Sequence, residues 1–349
     1  MPLNLRQPMV YYLKHIAFLL ACFLIYSCST DFELNAPRDE SPVIFGLLDA
    51  SQDTQIVKIT KTFLGDGDLE DMAAVRDSFE YEQKLDAFII RQDNQDTIFL
   101  DTLTLFNKEE GVFFNEANTY YYTTENISAE TRYELVVKAP NKTARASTVT
   151  VSPVNLISPR ITSLHSLVSG NSAPWRFRER TVEWKASENL KFAEASMLFY
   201  YEEHYTDGSK QLKIYEYFIG SKKFTSIAGG ETASITWNAE NFFKALGRDL
   251  TNPANLVKRT FYEFNANFST IRYKLTLVGE ELYTYLILEE PSTGIVQERP
   301  KYSNVSNGLG IFSSRFSQVT ESMSLNTATK EALLPNGVSY TQHLKFSLD

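Results

Sequence analysis

Short apolar runs separated by Asp, Asn and Gly turns dominate the first half of the chain. The clearest alternation lies at Arg132–Lys138, where Tyr133, Leu135 and Val137 share one face and charged residues lean towards the other. Runs rich in Val, Ile, Phe and Thr predict further strands at 42–48, 55–62, 85–91, 97–106, 111–115 and 146–151. This spacing predicts an all-β fold that begins with one β-sandwich over residues 41–152.

The second half has the same strand pattern, with two helical insertions. Strands are predicted at 181–186, 195–205, 211–220, 233–237, 261–268 and 271–278. Asn238 can cap a helix over 239–246 with Gly247 as its stop, and 280–290 places apolar residues at helical spacing. We therefore expect a second β-rich domain with short helical insertions over 160–349, joined to the first by a linker or crossover between Pro153 and Pro159.

The first 27 residues have the composition of a signal peptide. They contain Arg6 and Lys14 but no acid, and the uninterrupted apolar run over 16–26 follows. That run is too short for a membrane-spanning helix, which needs about 20 residues.

The leader ends at Ile25-Tyr26-Ser27-Cys28, which resembles the bacterial lipobox. The resemblance predicts cleavage after Ser27 and lipid attachment at Cys28, followed by a polar tether over 28–40. Cys22 is the weaker candidate, because lipidation there would leave an apolar stub on the mature chain. Two or more acyl chains anchor a protein stably, since each buried methylene contributes about 0.8 kcal/mol. The alternative is a secretory leader cleaved elsewhere, with Cys28 incidental.

Charge and composition narrow the classes of partner and chemistry. The chain has 34 basic and 43 acidic residues, a net charge of −9, which argues against binding nucleic acid or an anionic lipid surface. Both cysteines lie within the first 28 residues, and the four histidines are scattered. Disulfides, cysteine-ligated zinc and thiol catalysis are therefore excluded from the rest of the chain, and a multi-histidine metal site is disfavoured. We predict no cofactor and no metal.

Three segments could bind a ligand, and each also has a structural interpretation. The carboxylates of 66–71 could hold Ca²⁺ or form a solvated loop. Tyr120, Tyr121 and Tyr122 could form a sugar-stacking platform with the three tryptophans, although alternation predicts that at least one tyrosine is in the core. The glycines of 303–310 could cradle an anion or form a turn before a core strand at Ile311 and Phe312.

Two resemblances connect these patterns to known proteins. The segment around Tyr133, with the following strand over 146–151, is similar to the late strands of immunoglobulin-like and fibronectin type III sandwiches, including a tyrosine near a strand start. Residues 279–315 resemble a signature of Bacteroidota cell-envelope lipoproteins of unknown function, often encoded beside TonB-dependent receptors. The shared elements are Glu281, Tyr283, Tyr285 and Leu286, then Pro300, Ser303-Asn304-Val305 and Gly308-Leu309-Gly310-Ile311-Phe312. The resemblance implies an immunoglobulin-like first domain, a β-rich second domain and no assigned enzyme activity.

Three functional hypotheses follow. The first is a non-enzymatic outer-membrane lipoprotein that docks to an integral outer-membrane partner, either a TonB-dependent transporter or a barrel-assembly or secretion machine. The second is a surface lipoprotein that binds a glycan or peptide and delivers it to a transporter. The third is a hydrolase with an unrecognised carboxylate pair, although no G-x-S-x-G, H-E-x-x-H or S-x-x-K motif occurs. Members of the resembled family that face the cell exterior usually carry an acidic stretch just after the lipid-bearing cysteine. This chain has two acids there, Asp31 and Glu33, interrupted by Phe32, so the resemblance implies the cell surface rather than the periplasmic face.

Overall fold

The computed structural model describes residues 40–62, 68–106, 111–112, 114, 116–160, 164–170, 174–263, 270–289 and 301–349. The predicted leader, Cys22, Cys28 and most of the tether lie outside these ranges. Strands account for 47% of the structure and helices for 14%, so the all-β prediction is confirmed.

The described part of the first half contains eight strands and two short helices. The strands are β1 (Pro42–Asp49), β2 (Gln55–Lys61), β3 (Asp86–Arg91), β4 (Thr97–Phe99), β5 (Asp101–Leu105), β6 (Asn118–Thr123), β7 (Arg132–Lys138) and β8 (Thr143–Val149). The helices are α1 (Leu69–Ala73) and α2 (Arg76–Phe79).

The second half contains the remaining strands, three helices and a final 3₁₀ turn. The strands are β9 (Asn155–Ser158), β10 (Val168–Ser169), β11 (Arg176–Phe177), β12 (Glu179–Lys185), β13 (Phe192–Tyr205), β14 (Lys210–Lys223), β15 (Thr232–Asn238), β16 (Leu256–Phe261), β17 (Ile271–Val278), β18 (Leu309–Val319) and β19 (Phe346–Ser347). The helices are α3 (Ala239–Asp249), α4 (Glu280–Glu289) and α5 (Thr327–Leu333), and the turn is Gln342–Leu344.

One ten-stranded sheet runs through both halves of the described chain. Its order is β19-β16-β13-β17-β18-β1-β2-β6-β5. β16 and β17 share one edge of the long strand β13, and β14 pairs along the whole of its other edge. Two smaller sheets, β4-β3-β7-β8 and β15-β12-β9, pack against it, and β10 pairs with β11.

The first core lies between the β1 end of the large sheet and the four-stranded sheet. Strand alternation turns Ile44 and Leu48 of β1 towards Leu135 and Val137 of β7. Tyr133 is fully buried, and its hydroxyl oxygen accepts a hydrogen bond from the Ser128 amide at 2.9 Å. This part of the chain is therefore a β-sandwich with a buried tyrosine that fixes the turn before β7.

The second core lies between the β13 end of the large sheet, the three-stranded sheet and two helices. Trp184 and Trp237 of the small sheet and Phe242 of α3 pack against β13 and β17. Asn238 caps α3 as predicted, because its side chain accepts from the Glu240 amide at 2.7 Å.

β18 belongs to both cores. Its register with β1 is parallel, from Val43 opposite Leu309 to Asp49 opposite Arg315, and it pairs with β17 on its other side. Phe312 enters the first core, whereas Phe316 packs against the second. The predicted division into 41–152 and 160–349 stays a prediction, but a backbone ladder connects the two parts.

Several predicted boundaries are wrong. The single strand expected over 97–106 is two strands in different sheets, because the chain crosses at the buried Leu100. The linker expected between Pro153 and Pro159 contains β9, which pairs with β12. The strand expected over 261–268 is instead β16, which ends at Phe261; residues 264–269 lie outside the described chain. In 111–115 the described positions form no strand.

Gly247 does not end helix α3, which continues to Asp249. A Cβ at position 247 would lie 2.0 Å from the Tyr340 carbonyl oxygen. The glycine is therefore required for a close backbone approach and not for a helix stop.

Candidate functional site

The carboxylate loop is only partly described. Its first two residues, Asp66 and Gly67, lie outside the described ranges, and Asp68 caps α1 by accepting from the Glu70 amide at 2.7 Å. Among the described residues no cluster of three or more His, Cys, Asp and Glu side chains could hold a metal ion.

The aromatic platform does not form. Trp184 and Trp237 are buried in the second core, and Tyr121 is buried in the first, where its hydroxyl accepts from the Leu85 amide at 2.9 Å. Tyr120 lies on the other face of β6, beneath the Lys58 ammonium at 4.7 Å from its ring centre. The prediction that at least one of these tyrosines is in the core is confirmed.

The glycine-containing segment before β18 uses its polar groups internally. The Asn304 side-chain amide donates to the Phe312 carbonyl at 2.7 Å, and its oxygen accepts from the Phe312 amide at 2.9 Å. Gly310 has a φ of +103°, and a Cβ there would lie 2.0 Å from the Ile44 carbonyl oxygen. The segment therefore brings β18 against β1, which supports the turn interpretation over the anion cradle.

The helical part of the signature, α4, lies on the face of the large sheet opposite the two cores. Glu281 holds its first turn, because one carboxylate oxygen accepts from Ser313 of β18 and Thr148 of β8, both at 3.2 Å. The Ser313 hydroxyl also accepts from the Leu282 amide at 3.0 Å. The helix is thus attached to the strand that joins the two cores.

Two tyrosines of α4 contact different halves of the protein. Tyr283 stacks on Phe192 of β13, with ring centres 5.3 Å apart, and the Lys223 ammonium lies 5.1 Å from its ring. Tyr285 meets Phe45 of β1 edge to face at 6.3 Å. The spacing Glu281-x-Tyr283-x-Tyr285 therefore fixes one helix across the junction of the two halves.

A groove of about 490 Å³ lies between α4 and the first two strands. Phe45, Ile56, Leu282 and Tyr285 supply apolar walls. At one end the buried Asp49 carboxylate pairs with Arg315 at 3.2 Å. Burial, and to a lesser extent the nearby Glu289 carboxylate, raises the pKa of Tyr285 above its ordinary value.

The described buried carboxylates are all matched by cations. Asp49 pairs with Arg315, Glu80 with Lys58 at 2.6 Å, and Glu203 with Arg259 at 2.7 Å. Glycoside hydrolysis requires two carboxylates that face one another across the scissile bond, whereas each of these three buried carboxylates is engaged by a cation. The hydrolase hypothesis stays without a candidate site.

The sequence did not reveal the groove. Phe45 and Ile56 belong to strands that were predicted, but alternation alone does not show which face α4 covers. The helical spacing of 280–290 indicated α4. Which exposed positions of β1 and β2 lie beside that helix could be seen only in the three-dimensional structure.

Comparison with known protein families and with curated proteins finds no match for this chain. No helix among the described residues is long and apolar enough to cross a membrane.

Proposed function

We propose that this protein is a non-enzymatic lipoprotein, anchored in the outer membrane through Cys28, that serves as a docking subunit of an outer-membrane protein complex. The partner is an integral protein, either a TonB-dependent transporter or a barrel-assembly or secretion machine, and the protein faces the cell surface. The leader, the lipobox-like sequence and the acidic charge support this address, as does the resemblance of residues 279–315 to envelope lipoproteins.

The observation that carries the proposal is the exposure of α4. Six of its ten residues are Leu, Ile or Tyr, yet none is buried, and Leu286 and Ile287 are 45% and 43% exposed. A helix that is apolar on most sides normally lies inside a protein. Phe45 and Ile56 extend this exposed apolar surface onto the sheet. We call the surface formed by Phe45, Ile56, Tyr285, Leu286 and Ile287 the α4 surface.

The α4 surface is well suited to docking because it is held in place before a partner arrives. Glu281 ties the helix to β18 and β8, while Tyr283 and Tyr285 contact Phe192 and Phe45. A preformed surface loses little conformational entropy on association, so more of the apolar burial contributes to affinity.

The second candidate is a surface lipoprotein that binds a peptide or glycan. The groove beside α4 favours this candidate, since aromatic walls adjoin polar groups of Gln52 and Thr54. In that case the groove accepts a ligand side chain or sugar ring, and a transporter receives the ligand afterwards.

Affinity purification of the lipidated chain after extraction in mild detergent tests the proposal. We expect an integral outer-membrane barrel at one copy per chain. The double variant Leu286→Glu/Ile287→Glu should lose this barrel, because two charges would be buried in the contact. Ile157→Glu, a comparably exposed apolar position on β9, is the matched control and should retain the barrel.

Two outcomes contradict the proposal. Recovery of the chain alone, with an oligosaccharide or peptide bound, would favour the second candidate. Equal recovery of the barrel by the double variant and by Ile157→Glu would show that α4 is not the docking surface.

A further inference from the structure

Strand β14 forms a long unpaired edge of the large sheet. It pairs with β13 from Lys210 opposite His204 to Lys223 opposite Phe192, and no described strand pairs with its other side. The pairing is regular from Lys210 to Phe218, with one irregularity beyond it near Gly220. Alternate backbone N–H and C=O groups along this side therefore face outwards without a partner strand.

The face of β14 turned away from the second core carries three exposed apolar side chains, between the charged residues Lys210 and Glu216. Leu212, Ile214 and Phe218 are 45%, 54% and 57% exposed, whereas Tyr215 and Tyr217 on the other face pack against the core. Natural edge strands are usually short, interrupted by proline or bulged where they would meet another strand. The stretch from Lys210 to Phe218 has neither a proline nor a bulge, and its protection consists of the charged side chains of Lys210, Lys213 and Glu216.

The charge of β14 is opposite to that of the whole protein. The strand carries Lys210, Lys213, Lys222 and Lys223, and its single acid, Glu216, is paired with Lys274 at 3.2 Å. The chain as a whole has a net charge of −9. A segment that pairs with this edge is therefore favoured electrostatically when it carries acidic residues.

A second copy of the same edge is disfavoured by charge. β14 carries four lysines and one acid, so an intermolecular pair of β14 strands would bring two positively charged segments together.

We infer that β14 binds an extended segment of a partner polypeptide by strand addition, and that this segment alternates acidic and apolar residues. The backbone ladder supplies the pairing, Leu212, Ile214 and Phe218 contact the apolar residues, and Lys213, on the other face of the strand, contacts an acidic one. This surface is separate from the α4 surface and involves none of its residues.

Peptide binding to the full-length, detergent-extracted protein tests this inference. The first probe is a nine-residue peptide in which Glu alternates with Val, Ile and Phe. The second replaces each Glu by Lys, and the third is the acidic peptide with alternate backbone nitrogens methylated to block the ladder. We expect fluorescence anisotropy to show that the acidic peptide binds at least about tenfold more tightly than either of the others.

Variants and hydrogen exchange locate the bound peptide. Ile214→Glu and, separately, Phe218→Glu should weaken binding of the acidic peptide about tenfold, while Val257→Glu on β16 is the matched control and should not. Circular dichroism confirms that each variant is folded. The bound acidic peptide should slow amide exchange within 210–218 and leave α4 unchanged.

Three results would overturn the inference. These are equal affinity for the acidic and basic peptides, protection of amides elsewhere, and a concentration-dependent dimer that Ile214→Glu abolishes. None of them bears on barrel recovery through α4, so the two proposals fail separately.

Discussion

Arg259 is fully buried and donates two hydrogen bonds to one carboxylate oxygen of Glu203, at 2.9 and 2.7 Å. Its remaining donors reach the Asn252 side chain and the carbonyls of Thr251 and Leu344. One guanidinium therefore joins β13, β16, the loop after α3 and the final turn of the chain. A buried cation is tolerated here because every side of it is bonded.

Replacing Arg259 by Met should destabilise the protein by about 3–5 kcal/mol, because the buried Glu203 carboxylate would lose its partner. The free energy of unfolding in urea measures the effect. Arg248→Met, which removes an exposed ion pair with Asp249, is the control and should leave the midpoint unchanged. A similar midpoint for both variants would show that the Arg259 network contributes little.

The buried His165 should make stability pH-dependent. Its Nε2 lies 2.7 Å from the Tyr273 hydroxyl, and burial, with the nearby Arg180, lowers its pKa to about 3. The unfolded chain binds this proton near pH 6.5, whereas the folded chain does not. Stability is therefore complete above about pH 6.5 and falls as the pH drops towards 3.

Between pH 7 and pH 5 the unmodified protein should lose about 2 kcal/mol of unfolding free energy through protonation of His165 in the unfolded chain. His165→Gln should not show this part of the loss. Urea unfolding at both pH values measures this difference. His343→Gln, at an exposed position, should lose as much as the unmodified protein. The same loss in His165→Gln would contradict the assignment of this pH dependence to His165.

Gly310 should be intolerant of a side chain. Its φ of +103° and the 2.0 Å approach to the Ile44 carbonyl mean that Gly310→Ala would both strain the backbone and separate β18 from β1. We expect a loss of about 1–3 kcal/mol from the backbone conformation alone. Gly111→Ala is the control, since nothing lies within 4 Å of the added atom. Thermal unfolding of both variants measures this loss of stability. Equal melting temperatures for Gly310→Ala and Gly111→Ala would show that position 310 does not require a glycine.

The predicted membrane localisation of the protein depends on lipid attachment at Cys28. Cys28→Ala should move the protein from the membrane fraction to the soluble fraction, because the predicted acyl chains would be absent. Cys22→Ala should remain in the membrane fraction. Mass spectrometry of the mature amino terminus identifies the modified residue, and a membrane-bound Cys28→Ala protein would refute lipidation at this cysteine.

Local pattern predicted individual strands better than it predicted their partners. Arg132–Lys138 is a strand with the predicted boundaries, and Asn238 caps its helix, because alternation and capping are properties of neighbouring residues. The crossing at Leu100 and the pairing of β9 depend on contacts distant in sequence, which a single sequence does not show.

The signature of 279–315 illustrates the same limit. Its residues were recognised as a unit, but their physical role became clear only from the contacts. Glu281 accepts hydrogen bonds from β18 and β8, and the Asn304 side chain is hydrogen-bonded to both backbone groups of Phe312. These contacts attach the described parts of the segment to β18, the strand shared by the two cores. Leu286 is a shared residue of the signature that these structural contacts leave unexplained, and its exposure supports the proposed docking role.

The position of β1 has a mechanical consequence. β1 is the first described strand, and it is bonded to β2 on one edge and to β18 on the other. Tension applied ahead of Pro42 and directed along the strand must shear both ladders together, whereas peeling an edge strand breaks its hydrogen bonds one after another. A pulling force on the amino-terminal side is therefore resisted at the same time by the β1–β2 ladder of the first half and by the β1–β18 ladder that connects it to the second half.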